Sequence, residues 1–173
     1  SAGTDLASLR TKAVKDGDEW VINGGKIYTS GANEANYVWL ACRTDPEAKK
    51  HRGISLIIVP TDSEGFSWTP INTVGGVPTT STYYDNVRVP EENLLGPRGH
   101  GFIIAQRRLG PGRIFHCMRW LGQAQRAFDL MCKRLHERKT FGSSLAEKQL
   151  MQKFVFDSAC EIQASRQLTL DAA

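Results

Sequence analysis

Two residues near the start of the chain, Tyr28 and Ser30, are of types that could hold a ligand. The plane of a tyrosine ring supplies stacking area, and its hydroxyl supplies a hydrogen-bonding tip. We predict a strand over Lys26–Ser30, in which a spacing of two residues places both side chains on one face. A tyrosine in a strand is also an ordinary structural residue, because aromatic residues are enriched in sheets. Both interpretations stay open from the residues alone.

A small hydroxyl stands next to a glycine at the beginning of the chain, where Thr4 follows Gly3. A glycine lets backbone N–H groups approach an anion closely, so this pair could contact a phosphate. The alternative is a polar terminal segment that water solvates, as chain termini commonly are.

Charge is distributed unevenly between the two halves of the chain. Up to Leu95 there are nine Lys/Arg and twelve Asp/Glu, whereas from Gly96 onward there are thirteen and six. The basic half could meet the phosphates of nucleic acid, of a membrane surface or of a phosphorylated cofactor. The basic residues recur around a predicted helix instead of forming one stripe, and few aromatic residues lie among them, which argues against nucleic acid.

The cysteines and histidines do not form a metal motif. The four cysteines contain no C-x-x-C pair, and the four histidines do not cluster with them at zinc spacing. Free thiols in a reducing compartment are the favoured interpretation. The longest apolar run, Ile54–Val59, is far shorter than the roughly 20 residues of a membrane span. The polar opening stretch lacks the basic and apolar regions of a signal peptide.

The first half has the pattern of a β-domain, with short β-rich runs separated by turn formers. Asp16-Gly17-Asp18 and Asn23-Gly24-Gly25 are both predicted to be turns. The predicted strands are Trp20–Ile22, Lys26–Ser30, Tyr37–Arg43, Ile54–Val59, Phe66–Ile71 and Thr82–Val89. This spacing predicts an antiparallel β-barrel or sandwich, with strands from about Arg10 to Val89.

The second half changes to a helical period. One helix is predicted from about Phe102 to Arg138, and Pro111 should kink it or mark its true beginning. Phe141–Ser144 is a predicted break with a serine cap, followed by a second helix from about Leu145 to Ala173. The fold class is therefore α+β, with a long helical hairpin from an incomplete helical-bundle domain. Because the apolar stripes of the hairpin lack covering helices, we expect a piece of a larger protein, cut at both ends.

Four segments, taken in order, resemble the acyl-CoA dehydrogenase family: Ser1–Asp5, Val21–Ala32, Asp85–Phe102 and Glu137–Gln149. The resemblance implies a truncated middle β-domain over residues 1–95 and the first two helices of the C-terminal helical domain over residues 96–173. The run Arg107–Arg119 resembles a branch with long, often multidomain members of broad acyl-chain preference. This chain has Phe115 where that branch often has a histidine.

The activity implied by the resemblance is an FAD-dependent α,β-dehydrogenation of an acyl-CoA thioester. In the family, a carboxylate removes the proton next to the thioester carbonyl while the β-hydrogen leaves as hydride to the flavin. Tyr28 matches the position where the family usually has a tryptophan packed on the flavin, and Ser30 matches a hydroxyl that bonds flavin N5. Thr29 would add a backbone contact, and Thr4 matches a serine that contacts the flavin phosphate and the acyl-CoA.

Basic and polar residues of the helical half also match family positions. Arg113 matches an arginine near the acyl-CoA, and a second group matches residues that contact the flavin bound to another subunit. That second group consists of Arg138, Thr140, Phe141, Lys148 and Gln149. The planar fork of an arginine pairs well with phosphate oxygens. For each of these residues the alternative is a solvated helix face.

No residue of the chain matches a family catalytic base. In many members the glutamate lies at a position that would fall beyond Ala173, and in a minority it precedes the arginine matched by Arg113. Gly112 occupies that preceding position here and cannot take a proton. Glu137 and Glu147 are predicted to be solvated or capping. We therefore expect the chain by itself to be inactive.

The resemblance also implies partners and a setting. We expect electron-transfer flavoprotein as the acceptor, a homodimer or homotetramer, and the bacterial cytoplasm or mitochondrial matrix, with the peroxisome possible. Acyl-CoA oxidase shares these motifs and differs in oxygen access. A DNA-binding protein of the same flavoprotein fold would show salt-dependent DNA binding in place of a flavin that acyl-CoA bleaches. An oligomerisation module would lack flavin altogether.

Overall fold

The computed structural model describes residues 2–173, in two compact units that meet in sequence between Gln106 and Arg107. The strands of the first unit are β1 (Lys12–Asp16), β2 (Glu19–Lys26), β3 (Tyr37–Arg43), β4 (Ile54–Pro60), β5 (Phe66–Ile71) and β6 (Thr79–Pro90). Helix α1 (Gly101–Glu137), strands β7 (Lys139–Thr140) and β8 (Ser143–Ser144), and helix α2 (Gln149–Asp171) follow. The predicted domain boundary after Leu95 stays a prediction.

The six strands of the first unit form one curled, mixed sheet in the order β4-β3-β1-β2-β6-β5. Neighbouring strands are antiparallel except β1 and β3, which run parallel and pair only at Lys12 and Arg43. The sheet is a half-barrel followed by two helices, which confirms the predicted fold class. The one parallel pair was not expected.

One face of the sheet carries the core of the first unit. Along β3 the residues Val38, Leu40 and Cys42 are buried, and the residues between them are more exposed, as the two-residue period of a strand requires. They pack with Trp20 and Ile22 of β2, which are almost completely buried. Burying this apolar surface stabilises the sheet that carries the loops described below.

The segment Asn23-Gly24-Gly25 is a bulge inside β2, so its prediction as a turn was wrong. The pairing of β2 with β6 shifts between Ile22 and Gly24. Gly24 has φ +135°, and a Cβ at this position would lie 2.9 Å from the Cα of Thr11. The glycine allows the backbone of β2 to lie close to the backbone of Thr11, and it does not reverse the chain.

The strand predicted over Lys26–Ser30 was also wrong, because β2 ends at Lys26 and the next residues form a loop. Strand β1 lies in the region from about Arg10 where strands were expected, but no bounds were predicted for it. Ala13 is its one buried residue, so it shows no clear alternation. The turn predicted at Asp16-Gly17-Asp18 is confirmed, with Gly17 at φ +60° between β1 and β2.

The helices agree with the periodicity except near their starts. Helix α1 already begins at Gly101, so Pro111 lies inside it and does not mark its beginning. Helix α2 begins at Gln149, later than predicted, because Leu145–Glu147 forms a separate 3₁₀ turn. The predicted serine cap is Ser144, whose hydroxyl accepts from the backbone N–H of Ala146.

Candidate functional site

The loop that follows β2 brings Tyr28 and Ser30 to one open cavity of about 390 Å³. Tyr28 is 68% exposed and has φ +61°, a left-handed conformation that is uncommon for residues other than glycine. Glu34 and Thr79 also line this cavity. The juxtaposition predicted from the two-residue spacing is therefore present, although a loop and not a strand produces it.

Thr29, between these two residues, fastens the loop to β6. Its backbone N–H donates to the carbonyl of Thr80 at 2.8 Å, and the Thr80 hydroxyl donates to the carbonyl of Thr29 at 2.6 Å. Both polar groups of the Thr29 backbone are thus engaged within the chain. This anchoring holds Tyr28 and Ser30 in place, and it leaves the Thr29 N–H less available for the predicted cofactor contact.

Thr79 lines the same cavity, and the sequence prediction did not include it. Its hydroxyl oxygen lies 3.3 Å from that of Ser30, so the two hydroxyls form a pair at the cavity. The run Thr79-Thr80-Ser81-Thr82 at the start of β6 is the signal that could have revealed it. Hydroxyl pairs of this kind can donate to and accept from a polar ligand.

Thr4 lies in an exposed bend with Gly3, apart from the residues that line the Tyr28 cavity. The next residue, Asp5, accepts a hydrogen bond from the Ser8 hydroxyl at the beginning of a short 3₁₀ turn. Ser1, which belongs to the same sequence motif, lies outside the described residues. The structure therefore does not bring Thr4 together with Tyr28.

In the second unit, a tight hairpin presents Arg138 and Phe141 to solvent. Strands β7 and β8 pair Thr140 with Ser143, and the two residues between them have φ +50° (Phe141) and +79° (Gly142). Positive φ at both central positions is the signature of a type I′ turn. Phe141 is fully exposed, Arg138 is exposed and Thr140 is half-buried.

Ser144 and Glu147 hold this hairpin against the end of α1. The Ser144 hydroxyl donates to the carbonyl of Leu135 at 2.8 Å, and the Glu147 carboxylate accepts from the Ser144 N–H at 3.1 Å. The N–H of Leu145 donates to the carbonyl of Arg138 at 2.9 Å. The prediction of Glu147 as a capping residue is confirmed. Glu137 is exposed and pairs with Lys133 at 3.7 Å.

The side chains of Lys148 and Gln149 differ in how free they are to contact a ligand. The ammonium of Lys148 donates to the Ser143 hydroxyl at 2.5 Å and its side chain is half-buried, so it helps to hold the hairpin. Gln149 is the exposed first residue of α2. Of the two, Gln149 is the freer to contact a ligand.

Arg113 is exposed on α1, next to a glycine with open space around it. A Cβ at Gly112 would meet no atom within 4 Å. A neighbouring pocket of about 420 Å³ is lined by residues that include Phe115, His116 and Arg119, and the Arg119 guanidinium donates to His116 Nδ1 at 2.8 Å. None of its lining residues is a carboxylate, so the pocket does not supply the acidic side chain that the family uses as its base.

Burial perturbs the pKa values of Lys26 and Cys42, two groups of the first unit that interact electrostatically. It lowers the pKa of Lys26, the last residue of β2, and raises the pKa of the Cys42 thiol to about 12. Both shifts favour the uncharged forms. The thiol therefore behaves as part of the core and not as a nucleophile.

The residues present fit a cofactor that has a planar ring and phosphates. An exposed Tyr28 ring beside the Ser30 hydroxyl suits the edge of a flat heterocycle, and the exposed Arg138 guanidinium suits a phosphate. Within residues 2–173, no group of three His, Cys, Asp or Glu side chains could hold a metal ion. No helix in that same range combines the length and apolarity needed to cross a membrane.

Comparison with known proteins gives a consistent result. Residues 1–87 match the family described as acyl-CoA dehydrogenase, middle domain, and residues 99–173 match acyl-CoA dehydrogenase, C-terminal domain. Acyl-CoA dehydrogenase FadE26 of Mycobacterium tuberculosis is 53% identical over 68% of the chain and 32% of its own length. Cyclohexane-1-carbonyl-CoA dehydrogenase of Geobacter metallireducens is 39% identical over 99% of the chain and 46% of its own length.

A solved structure extends the agreement to the fold. The steroid ACAD Tcur3481-Tcur3483 is 44% identical, has a TM-score of 0.84, and is matched over 99% of this chain and 43% of its own. The chain thus spans less than half the length of these relatives. On the two matched domain families, the relatives and the shared fold, the chain belongs to the acyl-CoA dehydrogenase family.

Proposed function

We propose that the whole protein that contains this chain is an FAD-dependent enzyme that removes the α and β hydrogens of an acyl-CoA thioester. The observation that carries the proposal is the cavity where the Tyr28 ring and the Ser30 hydroxyl meet. Tyr28 has an exposed ring on left-handed backbone, in a loop that two hydrogen bonds anchor. If this position had only a structural role, a smaller polar residue would suit it better. Stacking on a planar ligand would explain an exposed aromatic ring at this position.

Two sets of residues would hold the FAD. Tyr28 and Ser30 would meet the ring system. In a neighbouring subunit, Arg138 and Phe141 at the hairpin and Gln149 at the start of α2 would meet the phosphate and adenine side. The bound flavin supplies the two-electron acceptor for the β-hydrogen and its electron pair. This chain would stack on the flavin, orient the acyl-CoA and exclude water from the reacting atoms.

The acyl-CoA would contact Arg113 and Thr4. A guanidinium close to the acyl-CoA can pair with the phosphates of the CoA or hold the carbonyl groups of the ligand in position. We propose that the α-proton passes to a carboxylate outside this chain, because Gly112 has no acidic group and the nearby pocket has no carboxylate lining. It follows that the 173-residue chain alone would not turn over substrate.

The proposed setting follows the family. Electron-transfer flavoprotein would reoxidise the enzyme, and a homodimer or homotetramer would bring each hairpin to a neighbouring flavin. The bacterial cytoplasm or the mitochondrial matrix stays the predicted location. Relatives named for cyclohexane-1-carbonyl-CoA and for steroid substrates indicate that the acyl group varies widely within the family.

The test is an anaerobic titration of the full-length protein with straight-chain acyl-CoAs and with cyclohexane-1-carbonyl-CoA. Loss of the visible flavin absorbance on adding one of them is the expected result. Ser30→Ala should slow this bleaching about fivefold, because one hydrogen bond at the reacting ring contributes on the order of 1 kcal/mol.

Ser67→Ala is the matched control, since Ser67 is an exposed serine on β5 of the same sheet. It should leave the bleaching rate unchanged. A full-length protein that is colourless and cannot be reconstituted with FAD would refute the proposed function. A yellow protein in which both serine variants bleach at the wild-type rate would refute the role of Ser30.

A further inference from the structure

A second, larger cleft lies in the first unit, and none of the residues proposed to hold FAD or acyl-CoA lines it. Its volume is about 930 Å³, and it is bounded by β1, by the short 3₁₀ turn before it and by the loop that follows β3. Buried Ala7, Leu9 and Ala13 contribute an aliphatic floor. None of its lining residues is aromatic or acidic.

One wall of this cleft is a free strand edge. Strand β3 ends at Arg43, opposite Lys12, whereas β1 continues to Asp16. Beyond Lys12, β1 has no strand partner on its β3 side among residues 2–173. Ala13, Val14 and Lys15 of this edge line the cleft, and Val14 is 57% exposed. The space where β3 would continue is therefore open to an added strand.

The cleft is strongly cationic. Arg10, Lys12 and Lys50 line it and have no carboxylate partner in the described part of the chain. Two other lining arginines serve the fold: Arg43 donates to the carbonyls of Ala7, Leu9 and Lys50, and Arg98 donates to that of Thr44. Lys15 pairs with Glu91. Three cations remain to meet an anionic ligand.

We propose that this cleft binds an extended acidic segment of a partner protein, which adds to the free edge of β1 as a strand. Main-chain hydrogen bonds to an exposed edge give affinity in this mode of recognition, and side-chain contacts give selectivity. Carboxylates of the segment would meet Arg10, Lys12 and Lys50, and its small apolar residues would cover the aliphatic floor. The β-domain has a net charge of −3 up to Leu95, yet no acidic residue lines this cleft.

Other occupants fit the cleft less well. A second copy of the chain pairing through the same edge would bring Lys12 and Lys15 of both copies together, and like charges on facing strands destabilise pairing. Single-stranded nucleic acid gains much of its affinity by stacking bases on aromatic side chains, and the lining has none. The charge and the open edge together favour an acidic peptide.

The experiment measures fluorescence anisotropy of a labelled peptide of about eight residues that alternates glutamate and valine, with the full-length protein as titrant. Saturable binding is expected. N-methylation of alternate backbone amides keeps every carboxylate but removes strand pairing, so it should weaken binding by about tenfold or more. Lys12→Glu should also weaken binding about tenfold, through charge reversal at the edge.

Lys49→Glu is the matched control, because Lys49 belongs to the same loop as Lys50 but does not line the cleft. It should stay within about twofold of wild type by the small value of a distant surface charge. If Lys12→Glu proves unfolded by thermal denaturation, Lys50→Glu replaces it. Absence of peptide binding, equal binding of the N-methylated peptide, or tighter binding of an oligothymidylate would each overturn the proposal.

Discussion

Tyr28 and Phe141 both hold left-handed backbone conformations, with φ +61° and +50°. Among the described residues other than glycine, only Asn86 shares this feature. Such conformations persist where surrounding contacts enforce them, here the Thr80 bonds of one loop and the Ser144 anchors of the hairpin. Two exposed aromatic side chains on hydrogen-bonded, left-handed backbone are the residue-scale basis of the proposed cofactor site.

At this scale, replacing Arg138 by alanine in the full-length protein should lower FAD affinity by roughly ten- to a hundredfold. A hydrogen bond to a charged group contributes ~1.5–3 kcal/mol, which corresponds to that range. Flavin release, followed by its fluorescence, should also increase on dilution, because the contact would join two subunits.

Arg134, one helical turn earlier and also exposed, is the control and should be neutral when changed to alanine. Equal FAD affinity of the Arg138→Ala and Arg134→Ala proteins would show that Arg138 is only a solvated helix residue.

A second residue-scale prediction concerns the thiols. Cys117 and Cys160 are exposed, whereas Cys42 is buried and has its pKa raised to about 12 by burial. Because the thiolate is the reactive form, Ellman's reagent at pH 8 should label the two exposed cysteines first and Cys42 only after unfolding. Cys132, which is half-buried, should react at an intermediate rate. Mass spectrometry of labelled peptides checks the order, and rapid labelling of Cys42 in the native protein would contradict it.

At the scale of elements, glycines decide where β2 bends and which residues it can approach. The bulge at Gly24 lets the strand lie against Thr11, whose hydroxyl donates to the carbonyl of Gly25 at 2.9 Å. The loop after the bulge then delivers Tyr28 and Ser30 to their cavity. The turn-like composition of this segment would divide β2 into two elements, but β2 is one continuous strand.

Gly24→Ala should destabilise the protein by about 2–4 kcal/mol, because its Cβ would lie 2.9 Å from backbone in a conformation that L side chains avoid. Gly31 also has positive φ, at +81°, but its Cβ would meet nothing within 4 Å. Gly31→Ala is thus the matched control and should lose only about 1 kcal/mol. Denaturant unfolding of both variants gives the comparison, and equal losses would mean that close approach at Gly24 is unimportant.

At the scale of the whole molecule, the helices expose apolar surface that a soluble bundle would cover. Trp120, Phe115 and Leu130 on α1 and Phe154 and Phe156 on α2 are all exposed. Large exposed apolar surface of this kind marks an interface with other parts of the protein or with another subunit. The chain spans less than half the length of its relatives, which have further residues to provide that cover.

We therefore expect the purified 173-residue chain to retain little or no FAD and to show no activity on any acyl-CoA. The proposed flavin site needs contributions from a neighbouring subunit, and the proposed base lies outside the chain. Absorbance near the flavin bands and an anaerobic acyl-CoA titration, with the full-length protein as control, test both points. A stoichiometrically yellow, active chain would show that the remainder is dispensable.

Local sequence patterns were sufficient to predict the change from sheet to helix, the break at Phe141–Ser144 and the family. Periodicity reports which face of an element is buried, and the turn chemistry of Asp16-Gly17-Asp18 is local, so neither depends on distant contacts. The family rests on several short motifs in a fixed order. The matched domain families, residues 1–87 and 99–173, agree with it.

Features that depend on residues far apart in the chain could be seen only once the chain was folded. The Asn23-Gly24-Gly25 segment has turn composition, but its pairing with β6 and its contact with Thr11 make it a bulge. Thr79 joins Ser30 across a separation of 49 residues, which no local pattern records. The open edge of β1 exists because β3 ends at Arg43 beside it, and strand ends in three dimensions are set by packing and pairing, not by propensity alone.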